Sequence, residues 1–244
     1  AHYVSDISSP QWLNWIDKSQ DYIIVNLAAA RFDFGANADD YWEQNVTCHE
    51  GFLSNLENIN VSHFIHISSV ASFDGKTLEY SEVMNCDDAY RTTKYRQEVV
   101  IEEWCVAHDI PVSILYPSAI FSDDERTDTN IGKMQSLSRM LPFVPKIDVV
   151  KSLTYLPHFN SFIIDLINDK LAPGHYLTIE KPLLEVSKMI QIVSDKRLTV
   201  VRIPWLRGIL MSVSWFLYIL GGFGKIDRKL TPNRAVKLFS ETSY

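Results

Sequence analysis

The chain has 244 residues, 46% of them hydrophobic, with 23 basic and 30 acidic side chains and a formal net charge of -7. A chain this long and this apolar buries a full core, which excludes disorder as its organising state. Net negative charge with scattered Lys and Arg excludes a nucleic-acid backbone as the main partner, because phosphate affinity comes mostly from clustered cations. Cys48, Cys86 and Cys105 show neither metal-ligand spacing nor the density of a disulfide scaffold. They point to no metal site and to a reducing, cytoplasmic compartment.

No signal peptide opens the chain, and Ala1-His2-Tyr3-Val4 reads as a strand already under way. Three short runs of Ile, Val, Leu and Phe without clean alternation then predict buried parallel strands, at Tyr22 to Leu27, His63 to Ser68 and Val112 to Tyr116. Helical patterns lie between them, around Asp40 to Leu56 and from Asp87 to His108. The second has Asp87 and Asp88 at its start and His108-Asp109 at its end, before Ile110-Pro111 opens a strand. Strand, helix, strand, helix, strand implies right-handed crossovers and an α/β, doubly wound parallel sheet.

Past Pro117 a polar loop, Ser122-Asp123-Asp124-Glu125-Arg126, leads to Pro142, Pro145 and a mixed region. Tyr176 to Ile179 predicts another strand, Leu183 to Ser194 a helix, and Leu198 to Ile203 a further strand. The expected division is a dinucleotide-binding part over 1–122, with 149–180 returning to it, and a smaller C-terminal substrate lobe over 123–148 and 181–244. The 17 uncharged residues from Gly208 to Gly224 fall short of the roughly 20 a spanning helix needs. They read as a core helix of that lobe, with a helix lying in a membrane surface as the less favoured alternative.

Tyr90 and Lys94 stand four residues apart on the second helix and therefore share a face. A fixed cation stabilises phenolate and brings tyrosine closer to use as a general acid or base. Most such pairs are merely solvated helix faces, so the weight comes from the preceding strand, which ends His66-Ile67-Ser68-Ser69. Ligands of doubly wound sheets bind beyond the carboxyl ends of strands, where a serine hydroxyl can hold a reacting oxygen.

This ordered set resembles the extended short-chain dehydrogenase/reductases, the NAD-dependent epimerase/dehydratase family. Ser5-Asp6-Ile7 resembles the family's Gly-Asp-Ile, and Asn26-Leu27-Ala28-Ala29 its His-Leu-Ala-Ala. Asn45-Val46-Thr47 is similar to its Asn-Val, and Leu115-Tyr116-Pro117-Ser118-Ala119-Ile120 to its Leu-Arg-Pro-Ser-x-Val. The resemblance implies a Rossmann-like fold and an NAD or NADP cofactor. It makes Tyr90 the acid/base and Lys94 the residue that binds nicotinamide ribose. Ser69, or less favourably Ser68, would hold the substrate oxygen. It further implies Asp6 and Ile7 at the adenine end, Ala28, Ala29 and Asn45 along the cofactor, and Pro117, Ser118 and Ile120 near the nicotinamide. The implied activity is an NAD(P)-dependent oxidoreductase or epimerase acting on a hydroxyl or keto carbon, most often of a nucleotide sugar. A non-catalytic scaffold subunit and a membrane-surface dehydrogenase of a lipid-type alcohol are the alternatives, and a homodimer is compatible with all three.

Departures from the family pattern sharpen these expectations. Its Gly-x-x-Gly-x-x-Gly turn, which seats a pyrophosphate at a helix N-terminus, does not occur in the sequence, and Gly221-Gly222-Phe223-Gly224 does not replace it. An N-terminally incomplete sheet is therefore expected, with roughly 55 to 65 residues upstream of Ala1. Weak NAD(P) binding by the chain as it stands follows, and the residue that separates NAD from NADP lies in that upstream segment. Val70 and Ala71 stand where 4,6-dehydratases carry Asp and Glu, which disfavours water elimination. Leu156-Pro157-His158-Phe159 replaces the family's Val-x-Asp-Asp.

Overall fold

A computed structural model of the chain describes residues 7–30, 38–74, 89–122, 130–140, 142–194 and 197–203, with Trp205, Gly208 and Ser212. The chain divides into two units, Ala1–Ser118 with Pro157–Ile179, and Ala119–Leu156 with Glu180–Tyr244.

The first unit is built on four parallel strands in the order β1 (Asp21–Asn26), β2 (Asn60–Ile67), β3 (Val112–Pro117) and His175–Thr178. Both sheet faces are covered, which is why the strands read as continuous apolar runs. One face sends Phe64, Ile24, Tyr22 and Val112 against Leu53, Leu56, Ile101 and Cys105, and the other sends Ile65 and Leu115 against Phe159 and Leu166. Phe64, Ile65 and Leu115 are fully buried, and each contributes roughly 2 kcal/mol of apolar burial. The architecture is Rossmann-like.

The helix expected over 40–56 forms as three pieces, α1 (Ala38–Trp42), a π-helical turn at Glu43–Thr47, and α2 (Cys48–Leu56). The widened turn buries Asn45 and Val46 together, which a regular helix places on faces 100° apart. The next helix, α3, runs Ala89–Ala107, so Asp87 and Asp88 lie outside the described residues. It stops because Asp109 takes φ 55 while the Ile110 N–H bonds the Cys105 carbonyl at 2.9 Å, a left-handed cap of the kind glycine usually fills. Asp109→Gly is therefore expected to raise stability by about 1 kcal/mol, read by urea unfolding. A fall would show that the Asp109 side chain itself holds the turn.

Two helices appear where the sequence reading places none, Asn130–Met140 in the mixed region and Leu156–Ile167, whose first turn is Leu156-Pro157-His158-Phe159. A 3-10 turn at Pro10–Trp15 packs Trp12 on Phe52 of α2. The unit boundary also differs from the expected 122 and 149–180, because Ala119–Phe121 pairs with Leu153–Tyr155 and both strands go with the second unit.

In that second unit Val144, Ile147, Val186, Ile190 and Leu198 form one apolar cluster and Ile131, Leu153 and Met189 another. The helix expected over 183–194 begins at Val186 because Leu184–Glu185 pairs with Val150–Lys151, and the expected 198–203 strand reduces to Val200–Val201. Apart from Gly208 and Ser212, the 208–224 segment lies outside the described residues, as do Ala1 to Asp6. Among the described residues no helix is long and apolar enough to cross a membrane.

Candidate active site at the carboxyl ends of the strands

The carboxyl ends of β1, β2 and β3 present, in turn, the Leu27–Ala30 loop, Ser68-Ser69 and Pro117-Ser118. Tyr90 and Lys94 lie in the first two turns of α3. Lys94 is 1% exposed, and its ammonium donates to the Ile67 carbonyl at 3.2 Å and to Gln97 Oε1 at 2.5 Å. An ammonium has three donors, and two of them are used among the described residues. Burial lowers the Lys94 pKa to about 8 against the opposing pull of Glu98, so the group remains charged at neutral pH.

The side chains around Lys94 are polar and buried. Gln97 Nε2 donates to the Ala28 carbonyl at 3.0 Å and lies 2.7 Å from His49 Nε2. Burial, followed by the charge of Lys94, lowers the His49 pKa to about 4, and the same two causes hold the fully buried His66 well below the ordinary imidazole range. Both rings are neutral at pH 7, leaving Lys94 as the cation of the cluster. His66 meets Asn26 Nδ2 at 3.3 Å through Nδ1, and its Nε2 has no protein partner among the described residues.

Asn45 is fully buried and clamps Ala30, accepting its N–H at 2.6 Å and donating to its carbonyl at 3.3 Å, with a further bond to Thr93 Oγ1 at 3.1 Å. Asn45 and Gln97 thus hold the backbones of Ala30 and Ala28, and Ala29 between them is exposed. Asn45 would meet a ligand through this loop, because its own polar atoms are engaged by Ala30 and Thr93.

The two serines differ. Ser68 is buried and donates to Glu98 Oε1, whereas half-buried Ser69 accepts the Ala71 N–H at 3.2 Å and its hydroxyl donates to no partner among the described residues. Tyr90 is half-buried, edge-on to Tyr41 with ring centroids 6.0 Å apart. Pro117 is buried at the end of β3 and Ser118 half-buried beside it. Ile120, 37% exposed, belongs to the second unit, Ile7 accepts a bond from the Trp12 indole, and Asp6 lies outside the described residues.

Gln97, Glu98, His49 and Tyr116 are site neighbours that motif reading misses. For Gln97 and Glu98 the signal is positional: Lys94, Gln97, Glu98, Ile101 and Cys105 recur at the spacing of the buried face of α3, where polar side chains need partners.

A dinucleotide fits part of this arrangement. The Lys94 ammonium, the fixed Ala28–Ala30 loop and the Ser69 hydroxyl suit the ribose and nicotinamide end, while the sequence holds no glycine-rich turn for a pyrophosphate.

Comparison with known proteins agrees with this fit. Residues 7–165 match the NAD-binding family model described as Male sterility protein. No curated protein sequence matches significantly. Among solved structures, the UDP-glucuronic acid 4-epimerase of Bacillus cereus in complex with NAD is similar with a TM-score of 0.61 at 18% identity, over 82% of this chain and 65% of that one. RMD from Pseudomonas aeruginosa complexed with NADPH gives 0.63 at 15%, over 82% and 76%. The terminal R domain of the myxalamid PKS-NRPS pathway gives 0.59 at 16%, over 89% and 55%. At such identities the likeness establishes the fold alone, and the chain spans less than two thirds of the epimerase and of the R-domain protein.

Proposed function

Because the chain belongs to the male sterility family of NAD-binding extended short-chain dehydrogenase/reductases, we propose that it is an NAD(P)-dependent oxidoreductase or epimerase acting at a hydroxyl or keto carbon through Ser69, Tyr90 and Lys94. The observation that carries this reading is the buried, charged Lys94, held at the end of β2 and one helical turn from Tyr90, with two of its three donors used among the described residues. Bound nicotinamide supplies or accepts the hydride. Lys94 holds ribose hydroxyls and, by its charge, favours the phenolate of Tyr90. Tyr90 gives a proton to the substrate oxygen in reduction and takes it in oxidation, and the Ser69 O–H steadies that oxygen. Gln97 and Asn45 keep the Ala28–Ala30 loop at a fixed distance from Lys94.

A nucleotide sugar is the substrate class proposed first, supported by the fold shared with the UDP-glucuronic acid 4-epimerase. Val70 and Ala71 supply no carboxylate pair, so epimerisation or carbonyl reduction is preferred over dehydration. A carbinol or carbonyl on an apolar chain is the second reading, favoured by the uncharged 208–224 run and by the exposed Ile164, Ile167 and Leu177 of the first unit.

The test is turnover by the intact protein, with NAD or NADP, on a panel of nucleotide sugars beside long-chain alcohols and aldehydes, followed by nicotinamide absorbance and product chromatography. Turnover of a sugar nucleotide supports the first reading and turnover of the apolar panel alone supports the second. A protein inert on both panels, yet stabilised thermally by cofactor, is instead a binding subunit.

A further inference from the structure

A second chain of polar groups starts one turn beyond Lys94 and leads away from the reacting centre. Glu98 is 5% exposed, accepts the Ser68 hydroxyl proton at Oε1 and lies 3.1 Å from the Tyr116 hydroxyl through Oε2. Tyr116, 6% exposed, is also 3.0 Å from Nδ1 of His175, whose ring stacks on it at 6.0 Å. His175 Nε2 meets Glu102 Oε1 at 2.7 Å, and these two side chains are 52% and 35% exposed. Buried carboxyl, buried phenol and exposed imidazole are therefore in continuous hydrogen-bond contact.

Between Glu98 and His175 the Tyr116 hydroxyl has one proton to give, so this run of contacts has two arrangements. In the first, Glu98 is a carboxylate that accepts from Tyr116, and His175 is an imidazolium that donates through Nδ1 to Tyr116 and through Nε2 to Glu102. In the second, neutral His175 keeps only its Nε2 proton, Tyr116 donates to Nδ1, and Glu98 is a carboxylic acid that donates from Oε2 to Tyr116. Both hold the same number of protons. The first becomes the second when the His175 Nδ1–H bond breaks as a Tyr116 O–H bond forms, while the original Tyr116 O–H bond breaks as a Glu98 Oε2–H bond forms.

We propose that Glu98, Tyr116 and His175 are a proton relay that exchanges one proton between an exposed imidazole and a buried carboxyl, and through Glu98 sets the charge opposite Lys94. Its effect on turnover rests on the function proposed above, but its existence does not. Glu98 faces Lys94 from its own helix, Ser68 and Ser72 from beyond β2, and Tyr116 from β3. Tyr116 faces Glu98, Glu102 and Tyr95 from α3 and His175 from the fourth strand. Burial holds the Glu98 carboxyl above its ordinary range against these hydrogen bonds, and burial with the neighbouring Glu98 charge holds the Tyr116 phenol up. The phenol therefore serves as a bridge and keeps a proton at all working pH. An imidazole is the side chain best suited to trade protons with water near neutrality.

The relay is read without turnover, by NMR of His175 and by the infrared band of a buried protonated carboxyl, over a pH series on the intact protein. In the wild type both signals should change at one shared midpoint, because a coupled pair loses its proton as a unit. Tyr116→Phe should part the midpoints by about one pH unit or more. Glu98→Gln, which retains an acceptor for Ser68, should abolish the band and move the His175 midpoint even if Tyr116→Phe fails to fold. Separate midpoints in the wild type, or a His175 titration untouched by Glu98→Gln, would overturn the relay. A relay found in a protein inert on every substrate would count against the proposed function alone.

Discussion

Tyr90→Phe is expected to cut turnover by roughly 10²–10⁴-fold, the usual worth of a positioned general acid or base, while leaving cofactor affinity unchanged. Phe keeps the ring and its edge-on contact with Tyr41 but has no proton to exchange. In the proposed site the cofactor would be held from elsewhere, by Lys94 and the loop that Gln97 and Asn45 fix, so binding should not feel the change. Loss in kcat with an unchanged cofactor dissociation constant is thus the signature. Turnover retained at the wild-type level would remove Tyr90 from the chemistry, whatever the fold.

The fold's central strands are legible in the sequence to within a few residues, because both faces of the sheet are buried and the runs carry no competing pattern. The Leu156–Ile167 helix escapes the sequence reading, although Phe159, Phe162, Ile163 and Leu166 recur at intervals of three, one and three. Pro157 disguises it, though proline is tolerated in a helix's first turn. The π-helical turn at Glu43–Thr47 leaves no local mark, since it goes with a tertiary contact, the clamp of Asn45 on Ala30. Within the candidate site, spacing brings Tyr90 and Lys94 to one helix face and the strand end supplies Ser69. What Lys94 touches is invisible at that level. Gln97 and Glu98 look like ordinary surface polar residues until the packing of α3 turns them inward. Tyr116 stands where the resembled motif has Arg, and only the fold shows that it joins Glu98 to His175.

Lys94→Met is expected to change the pH dependence of stability more than stability itself. Met fills the channel of the lysine stem but leaves the Ile67 carbonyl and Gln97 Oε1 without their donor, a cost that does not vary with pH. The titration does vary. Burial lowers the folded Lys94 pKa from 10.5 to about 8, so the stability it contributes is present above the unfolded value and lost as pH falls through about 8. Between those limits the unfolded chain holds a proton that the folded one has released, and wild-type stability should rise against Lys94→Met by about 3 kcal/mol. Urea unfolding of both proteins from pH 6 to 10.5 reads this directly. The difference should be level below about pH 7 and should turn in favour of the wild type above 8. A level difference throughout would mean that water or Glu98 solvates the ammonium well enough to cancel its burial, and would remove the desolvated cation on which the Tyr90 mechanism depends. The cost of keeping that ammonium charged at neutral pH is what the proposed site would give up in stability to hold a cation one helical turn from Tyr90.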